Sequence, residues 1–236
     1  MNRELVVKNG IIVTMNKDRE VFEGSLLIEN GKIAGVYKGK QGPKADVEID
    51  AQGGIVTPGF ICAHTHLYGI LLTDFTQNLQ RIWWLMDEEM NAQDAYISAL
   101  TASLELLRAG TTTFADTFSG PNAIEGVLDH INKGVSETGI RGILSFESTQ
   151  RRSLEEGYRG LKENARFIKG SGRGMISVHA SFTVKDEFLK EAAETASKLN
   201  VPFTIHASEG KWDLYHNLER YGKRTFERLN DLGVLS

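Results

Sequence analysis

One cysteine, Cys62, and four prolines are all that the 236 residues contain of the two residue types that most constrain a chain covalently. A lone cysteine cannot close an internal disulfide, which fits a reducing compartment, and a cytoplasmic location is expected. Basic excess is missing too. Lys and Arg number 27 against 31 Asp and Glu, a formal charge of −4, so no electrostatic footprint for nucleic acid or an anionic membrane is present. No apolar run of signal-peptide length follows the opening MNRELVVKNG, and none elsewhere is long enough to span a bilayer. What the chain does have is 41% hydrophobic residues, enough to bury a sizeable core.

Residues 1–54 read as short β-prone pieces broken by Gly, Asn and Asp, with Asn9-Gly10 and Asn30-Gly31 as hairpin-type turn dipeptides. This predicts a small antiparallel sheet or half-sandwich. From Ile55 to Ser236 the texture changes to apolar strands alternating with amphipathic helices, the pattern of βα units around a parallel sheet. The strands are GIVTPGFICAHTH, TTTFADTF, IRGILSFES, GMISVHASF and PFTIHAS, which makes five βα units in an α/β fold.

Capping residues and period mark the helices. Asn91 precedes a run with Tyr96, Leu100, Ser103, Leu104 and Leu107 on one face, and Gly110 follows as the stop. Pro121 suits a first helical turn ahead of Ile124, Val127, Leu128, Ile131 and Val135. Ser153 with Glu156 forms a capping box, and Thr183 with Asp186 a similar start. The last helical region begins near Trp212.

In a strand, alternate side chains share a face, so His64 and His66 of "PGFICAHTH" point the same way and can chelate one ion. The alternative is two polar groups where a strand ends. Of six histidines, four, His64, His66, His179 and His206, fall at the C-terminal ends of expected strands, the end where a (β/α) barrel places its active site. His130 and His216 fall in expected helices, as partly exposed residues without a role. Glu209, three residues past His206, can move a proton to or from metal-activated water, or serve as an acid at a helix N-terminus.

"GGIVTPGFICAHTHLYG", "LELLRAGTTTFADTF", "SVHASF" and "FTIHASEGKWDLYHNLERYGKRTFERLNDLGVL" together resemble the amidohydrolase superfamily, in the branch holding adenosylhomocysteine and methylthioadenosine deaminases, guanine deaminase and triazine chlorohydrolases. The resemblance covers essentially the whole chain. It implies a (β/α)8 barrel, of which these would be the first five βα units, with part of a small N-terminal β-sandwich. His64, His66 and His206 would be metal ligands, Glu209 the general acid and base, and His179 a substrate contact. Members with two metals carry a carboxylated lysine at the end of the fourth strand; "SVHASF" has none, so one divalent ion is expected, zinc ahead of iron. The implied reaction is hydrolytic deamination of an aminated heterocycle such as a purine derivative. Cleavage of a cyclic amide or a ring halide by the same water is the alternative. Zinc deaminases with a PCxxC motif are excluded by the single cysteine.

The resemblance also leaves gaps. A histidine after a sixth strand and an aspartate after an eighth are expected in the family, and neither is in this sequence. An unclosed five-stranded sheet leaves two edges unpaired. The expected partners are therefore a small-molecule substrate and either further copies of the chain or a complementing chain that completes the barrel. A half-barrel acting as an inactive scaffold or partner subunit is the contrasting reading. In "QRIWWLMDEEM", Arg81, Trp83, Trp84 and Asp87 lie in the region after the first strand where related enzymes gather substrate contacts, Trp84 and Asp87 being the candidates retained. Asp116 and Glu147, at the ends of the second and third strands, could orient a ligand or satisfy backbone donors. The glycine run from Gly170 to Gly174 leads into a strand and reads as an ordinary turn, not a phosphate loop.

Overall fold

The computed structural model describes residues 4–39, 42–71, 79–171 and 173–235, and the chain falls into two compact units, Met1–Gly59 and Phe60–Ser236. In the first, strands β1 (Leu5–Val13), β2 (Val21–Glu29), β3 (Lys32–Lys38), β4 (Val47–Asp50) and β5 (Ile55–Val56) form one sheet. Its order is β3-β2-β1-β4, with β5 also on β1.

The sheet is mixed, not antiparallel as expected. β2 runs antiparallel to β1 and β3, but β4 and β5 run parallel to β1, one beside each half of it. Two short segments on the free edge of β1 satisfy the backbone groups that a longer hairpin strand would otherwise pair. Because Ile55 and Val56 pair with Ile11 and Ile12, the first unit runs on to Gly59, past the boundary expected after residue 54. Asn30-Gly31 is the expected two-residue turn, with φ of +52° and +72°. Asn9-Gly10 is not a turn: β1 runs straight through it with a register shift between Val7 and Gly10, a bulge in which Asn9 has φ +56°. A Cβ at residue 10 would lie 2.7 Å from Val56 Cγ2, so the approach of β5 requires glycine there.

The second unit alternates strand and helix: β6 (Phe60–Thr65), α1 (Leu79–Glu89), α2 (Ala92–Arg108), β7 (Thr111–Phe118), α3 (Val127–Thr138), β8 (Arg141–Ser148), α4 (Leu154–Ser171), β9 (Ile176–Ala180), α5 (Asp186–Leu199), β10 (Phe203–His206), α6 (Lys211–Tyr221) and α7 (Thr225–Asp231). All five strands are parallel, each beside the next in sequence, in the order β6-β7-β8-β9-β10. Parallel neighbours need a crossover, and the helices supply it. The curled sheet is five-eighths of a (β/α)8 barrel.

Two apolar clusters hold the helices to the sheet. Phe114, Phe118, Leu144 and Phe146 of β7 and β8 meet Leu128 and Ile131 of α3, and Ile176 and Val178 of β9 meet Leu161, Phe188, Leu189 and Leu229. Each fully buried side chain of this size contributes about 1.5–3 kcal/mol.

Several helix starts and faces depart from expectation. Asn91 caps α2 through Gln93 and Asp94 N–H, with Asp94 returning a bond to Asn91 N–H, and Gly110 ends it with φ +84°. Its buried face, however, is Ala95, Ser98, Ala99, Ala102 and Ser103, while Ile97 and Leu104 are exposed. The cause is the close approach of α3, where a Cβ on Gly134 would lie 2.7 Å from the Tyr96 carbonyl oxygen. Only small side chains fit such a seam. Helix α3 starts at Val127, after Gly126 in the left-handed region, and Pro121 sits in the preceding turn. Ser153 Oγ accepts the Glu156 N–H as expected, but Glu156 receives the N–H of Arg152. Helix α5 starts at Asp186 because the Thr183 hydroxyl bonds to Ala180 and closes a separate short turn, Ser181–Thr183. Among the described residues, no helix is long and apolar enough to cross a membrane.

Candidate metal centre

Parallel strands present all their C-terminal ends along one rim. His64 lies in β6, His66 one residue past its end, and His206 ends β10. β6 and β10 are the two outer strands of the sheet, yet curling brings His64 Nε2 to 3.3 Å from His206 Nε2. One ligand nitrogen from each of His64, His66 and His206 lies within 4.8 Å of the others, with ring centroids 4.8–5.2 Å apart.

Hydrogen bonds behind the rings select the tautomers. His66 Nδ1–H is shared between the carbonyl oxygen and Oγ1 of Thr117, both at 3.1 Å. His206 Nδ1–H donates to the His179 carbonyl oxygen at 2.6 Å. Each assignment leaves a lone pair on Nε2, the form in which imidazole binds metal. Burial, then the neighbouring rings His66 and His206, hold the His64 imidazole below the usual range. Burial likewise lowers His66, against the opposing bond from Thr117. Neutral nitrogens are what a cation needs.

The donor set fits zinc. Two nitrogens at 2.0–2.1 Å from a tetrahedral ion are about 3.3–3.4 Å apart, close to the His64–His206 separation of 3.3 Å. The cluster found among the described residues is made of these three histidines.

Among the buried acids of this unit are Glu147, Asp116 and Asp87, with Glu147 directly behind two of the rings. Glu147, at the end of β8, accepts the Thr117 hydroxyl at 2.7 Å, and its Oε1 is 3.5 Å from His66 Nδ1 and 3.8 Å from His206 Nδ1. Burial pushes its carboxyl up, against the pull of His206 and Thr117. Asp116 accepts the Leu67 N–H at 2.7 Å, and burial raises it to about 8. Asp87 on α1 accepts Ser119 Oγ at 2.7 Å and Arg151 Nη2 at 3.4 Å, and burial brings it to about 6.

His179 ends on the same rim, its ring 5.8 Å from that of His206, but it is outside the ligand set. Burial, then the Arg151 charge, push it well below the ordinary imidazole range. Glu209 is exposed in the loop between β10 and α6, where its negative charge acts on His64 and His66. It precedes α6 by two residues, and the acid in that helix's first turn is Asp213. Asp213 is buried and accepts the Ser208 N–H at 2.5 Å, pinning the loop that carries Glu209.

Trp83, Trp84 and Asp87 lie on α1 and not in a loop. Trp83 stands 6.1 Å from the His66 ring and 5.5 Å from Tyr68, and the Arg151 guanidinium stacks 4.8 Å from the Trp84 ring. The side chain of Arg81 lies outside the described residues, as does Gly172 of the glycine run. Asp87 Oδ1, Arg151 Nη1 and His179 Nδ1 are buried with no hydrogen-bond partner, atoms that a water or a polar ligand group would satisfy. His130 bonds back to the Gly126 carbonyl, and His216 packs among Phe182, Trp212 and Tyr221, both apart from the three-histidine cluster. Sequence reasoning missed Thr117, Arg151 and Asp213. Only the strand-end position of Thr117 offered a signal.

Known proteins resemble this chain in sequence and in fold. The chain is 34% identical to a 5'-deoxyadenosine deaminase of Methanosarcina mazei and 30% identical to a 5-methylthioadenosine/S-adenosylhomocysteine deaminase of Thermoanaerobacter pseudethanolicus, each over 98% of this chain and 55% of the relative. It thus spans about half the length of the curated relatives it matches. Among solved structures, the zinc complex of atrazine chlorohydrolase from Arthrobacter aurescens TC1 superposes with a TM-score of 0.79 at 20% identity, over 98% of this chain and 59% of that one. The sequence profile of the amidohydrolase family matches residues 55–235, and the chain belongs to that family.

Proposed function

We propose that this chain carries the metal-binding part of a hydrolytic deaminase acting on an aminated purine-like compound, with a 5'-substituted adenosine as the nearest substrate class. The observation that carries the reading is the convergence of three imidazole nitrogens from opposite edges of the sheet. The two similar deaminases support the substrate class. In this reading His64, His66 and His206 hold one divalent ion, zinc ahead of iron. Bound there, the ion supplies Lewis acidity that lowers the pKa of water to about 7.

The protein's own groups do the rest. Glu209, exposed beside the rings, takes a proton from the attacking water and returns it to the departing amine. His179, kept neutral by burial, offers Nδ1 to the substrate as a hydrogen-bonding group. Asp87 offers its unpartnered Oδ1, and Trp84, braced by Arg151, an aromatic surface for a planar ring. The site needs closure: Phe60 and Ile61 on β6 and Trp212, Tyr215 and Phe226 on α6 and α7 are all at least 55% exposed, beside strands with a single neighbour. Further βα units, in a longer polypeptide, a complementing chain or another copy, cover these edges. The setting is cytoplasmic, as a lone free cysteine suits.

The test uses protein isolated from its own cells, so that covering segments stay attached, and loaded with zinc. Ammonia release is followed across adenosine derivatives and other aminated heterocycles. Release that is lost in Glu209→Gln supports the proposal. Chloride release from chlorotriazines without ammonia, or silence toward every aminated compound, refutes it.

A further inference from the structure

We propose that Glu147 is a positioning residue of the metal centre: from behind His66 and His206 it fixes their ring orientation and strengthens the hold of the three histidines on a divalent cation. The inference rests on the metal reading of the site given above.

Glu147 is 2% exposed, and among the described residues the ion-pair partners within 4 Å of it are the two rings, His66 at 3.5 Å and His206 at 3.8 Å. A carboxylate taken out of water with no Lys or Arg within 4 Å is costly, and the more distant Arg151 charge offsets the burial only in part. A cation on the far side of those rings adds positive charge on the side of Glu147 that faces the ligands.

Two routes connect the carboxylate to the ligands. The first is a relay: His66 Nδ1–H is 3.1 Å from Thr117 Oγ1, and that hydroxyl donates to Glu147 Oε1 at 2.7 Å. With its proton committed to Glu147, the hydroxyl turns a lone pair toward the imidazole, which locks the tautomer and makes Nε2 a stronger donor. The second is direct. At 3.5 and 3.8 Å the Nδ1 contacts are too long for good hydrogen bonds, so the carboxylate acts on both rings through its charge. Because His66 follows β6, His206 ends β10 and Glu147 lies in β8, one side chain from the middle of the sheet registers ligands from its two edges.

The experiment measures zinc dissociation constants of the protein with its covering segments attached, by competition with a chromogenic chelator, alongside the visible spectrum of the cobalt-substituted protein. Glu147→Gln keeps the size and can still accept from Thr117, but removes the charge; Thr117→Val breaks the relay and leaves the charge. Each is expected to weaken zinc binding about 10- to 100-fold, with a changed cobalt spectrum, and the double variant to lose less than the product of the two. Glu147→Asp, which keeps the charge, should recover part of the affinity. A purely packing role would lower the melting temperature and leave the affinity and spectrum unmoved, which overturns the proposal. If Glu147→Gln fails to fold, unaltered zinc affinity and an unaltered cobalt spectrum in Thr117→Val overturn it equally. A parent chain that binds no zinc overturns the metal reading and this inference with it, whereas a parent and variants that bind alike overturn this inference alone.

Discussion

Asp213→Asn perturbs the loop that carries Glu209 without touching any proposed ligand. The carboxylate is buried in the first turn of α6, and its two oxygens face opposite groups of donors. Oδ2 accepts the Ser208 N–H at 2.5 Å, while Oδ1 accepts Ser181 Oγ at 2.5 Å, Asn217 Nδ2 at 2.7 Å and Thr225 Oγ1 at 3.3 Å. Asparagine has one acceptor oxygen and one NH2. With the oxygen toward Ser181 and Asn217, the NH2 meets the Ser208 N–H; flipped, it meets the other donors. Either way a charge-assisted bond worth about 1.5–3 kcal/mol is lost and a donor is left facing a donor, for a total near 2–4 kcal/mol. Ser208, at φ +58°, then loses the bond that Asp213 makes to its N–H in the left-handed region. Urea denaturation followed by circular dichroism should show the destabilisation, and hydrogen exchange should show the Ser208 amide losing protection while β7 and β8 keep theirs. Unchanged stability together with unchanged exchange at Ser208 would refute the claim that Asp213 pins this loop.

Asn91→Ala removes both cap bonds of α2 and should cost about 1 kcal/mol, read from a urea midpoint shift; no shift would mean that tertiary packing alone sets the start of the helix. Asp116 is raised by burial from 3.8 to about 8, so the folded chain keeps a proton that the unfolded chain has released. Its contribution to stability is therefore fully present below pH 3.8 and is lost as pH rises through about 8. In metal-free protein Asp116→Asn should gain on the parent between pH 5 and pH 8, and a constant difference across that range would contradict the assignment. Gly134→Ala sets a Cβ 2.7 Å from the Tyr96 carbonyl oxygen and should destabilise by about 1–3 kcal/mol in the same denaturation assay.

Much of the fold was legible because its signals are local or periodic. Five apolar strands separated by capped helices specify five parallel strands in sequence order, and the Asn30-Gly31 turn follows from its dipeptide. The failures have one cause in common, which is that a local signal was overruled by a neighbour absent from the local sequence. Asn9-Gly10 has turn chemistry, but β5 approaches there and turns it into a bulge. Ile97 and Leu104 have core character, but Gly134 brings α3 so near that alanines and serines form the seam. For the site, strand parity and strand ends bring His64, His66 and His206 to one rim. No periodicity could show that Glu147 stands behind two of the rings, or that Asp213, one of 31 acidic residues, is buried beneath the Glu209 loop.

The most direct test of the central claim is zinc K-edge absorption of the protein, with its covering segments attached, beside a variant carrying His64→Ala, His66→Ala and His206→Ala. The structure predicts one zinc per chain with three imidazole nitrogens at about 2.0–2.1 Å, and no bound zinc in the triple variant. Zinc uptake that survives loss of all three histidines, or a parent chain that takes up none, would contradict it.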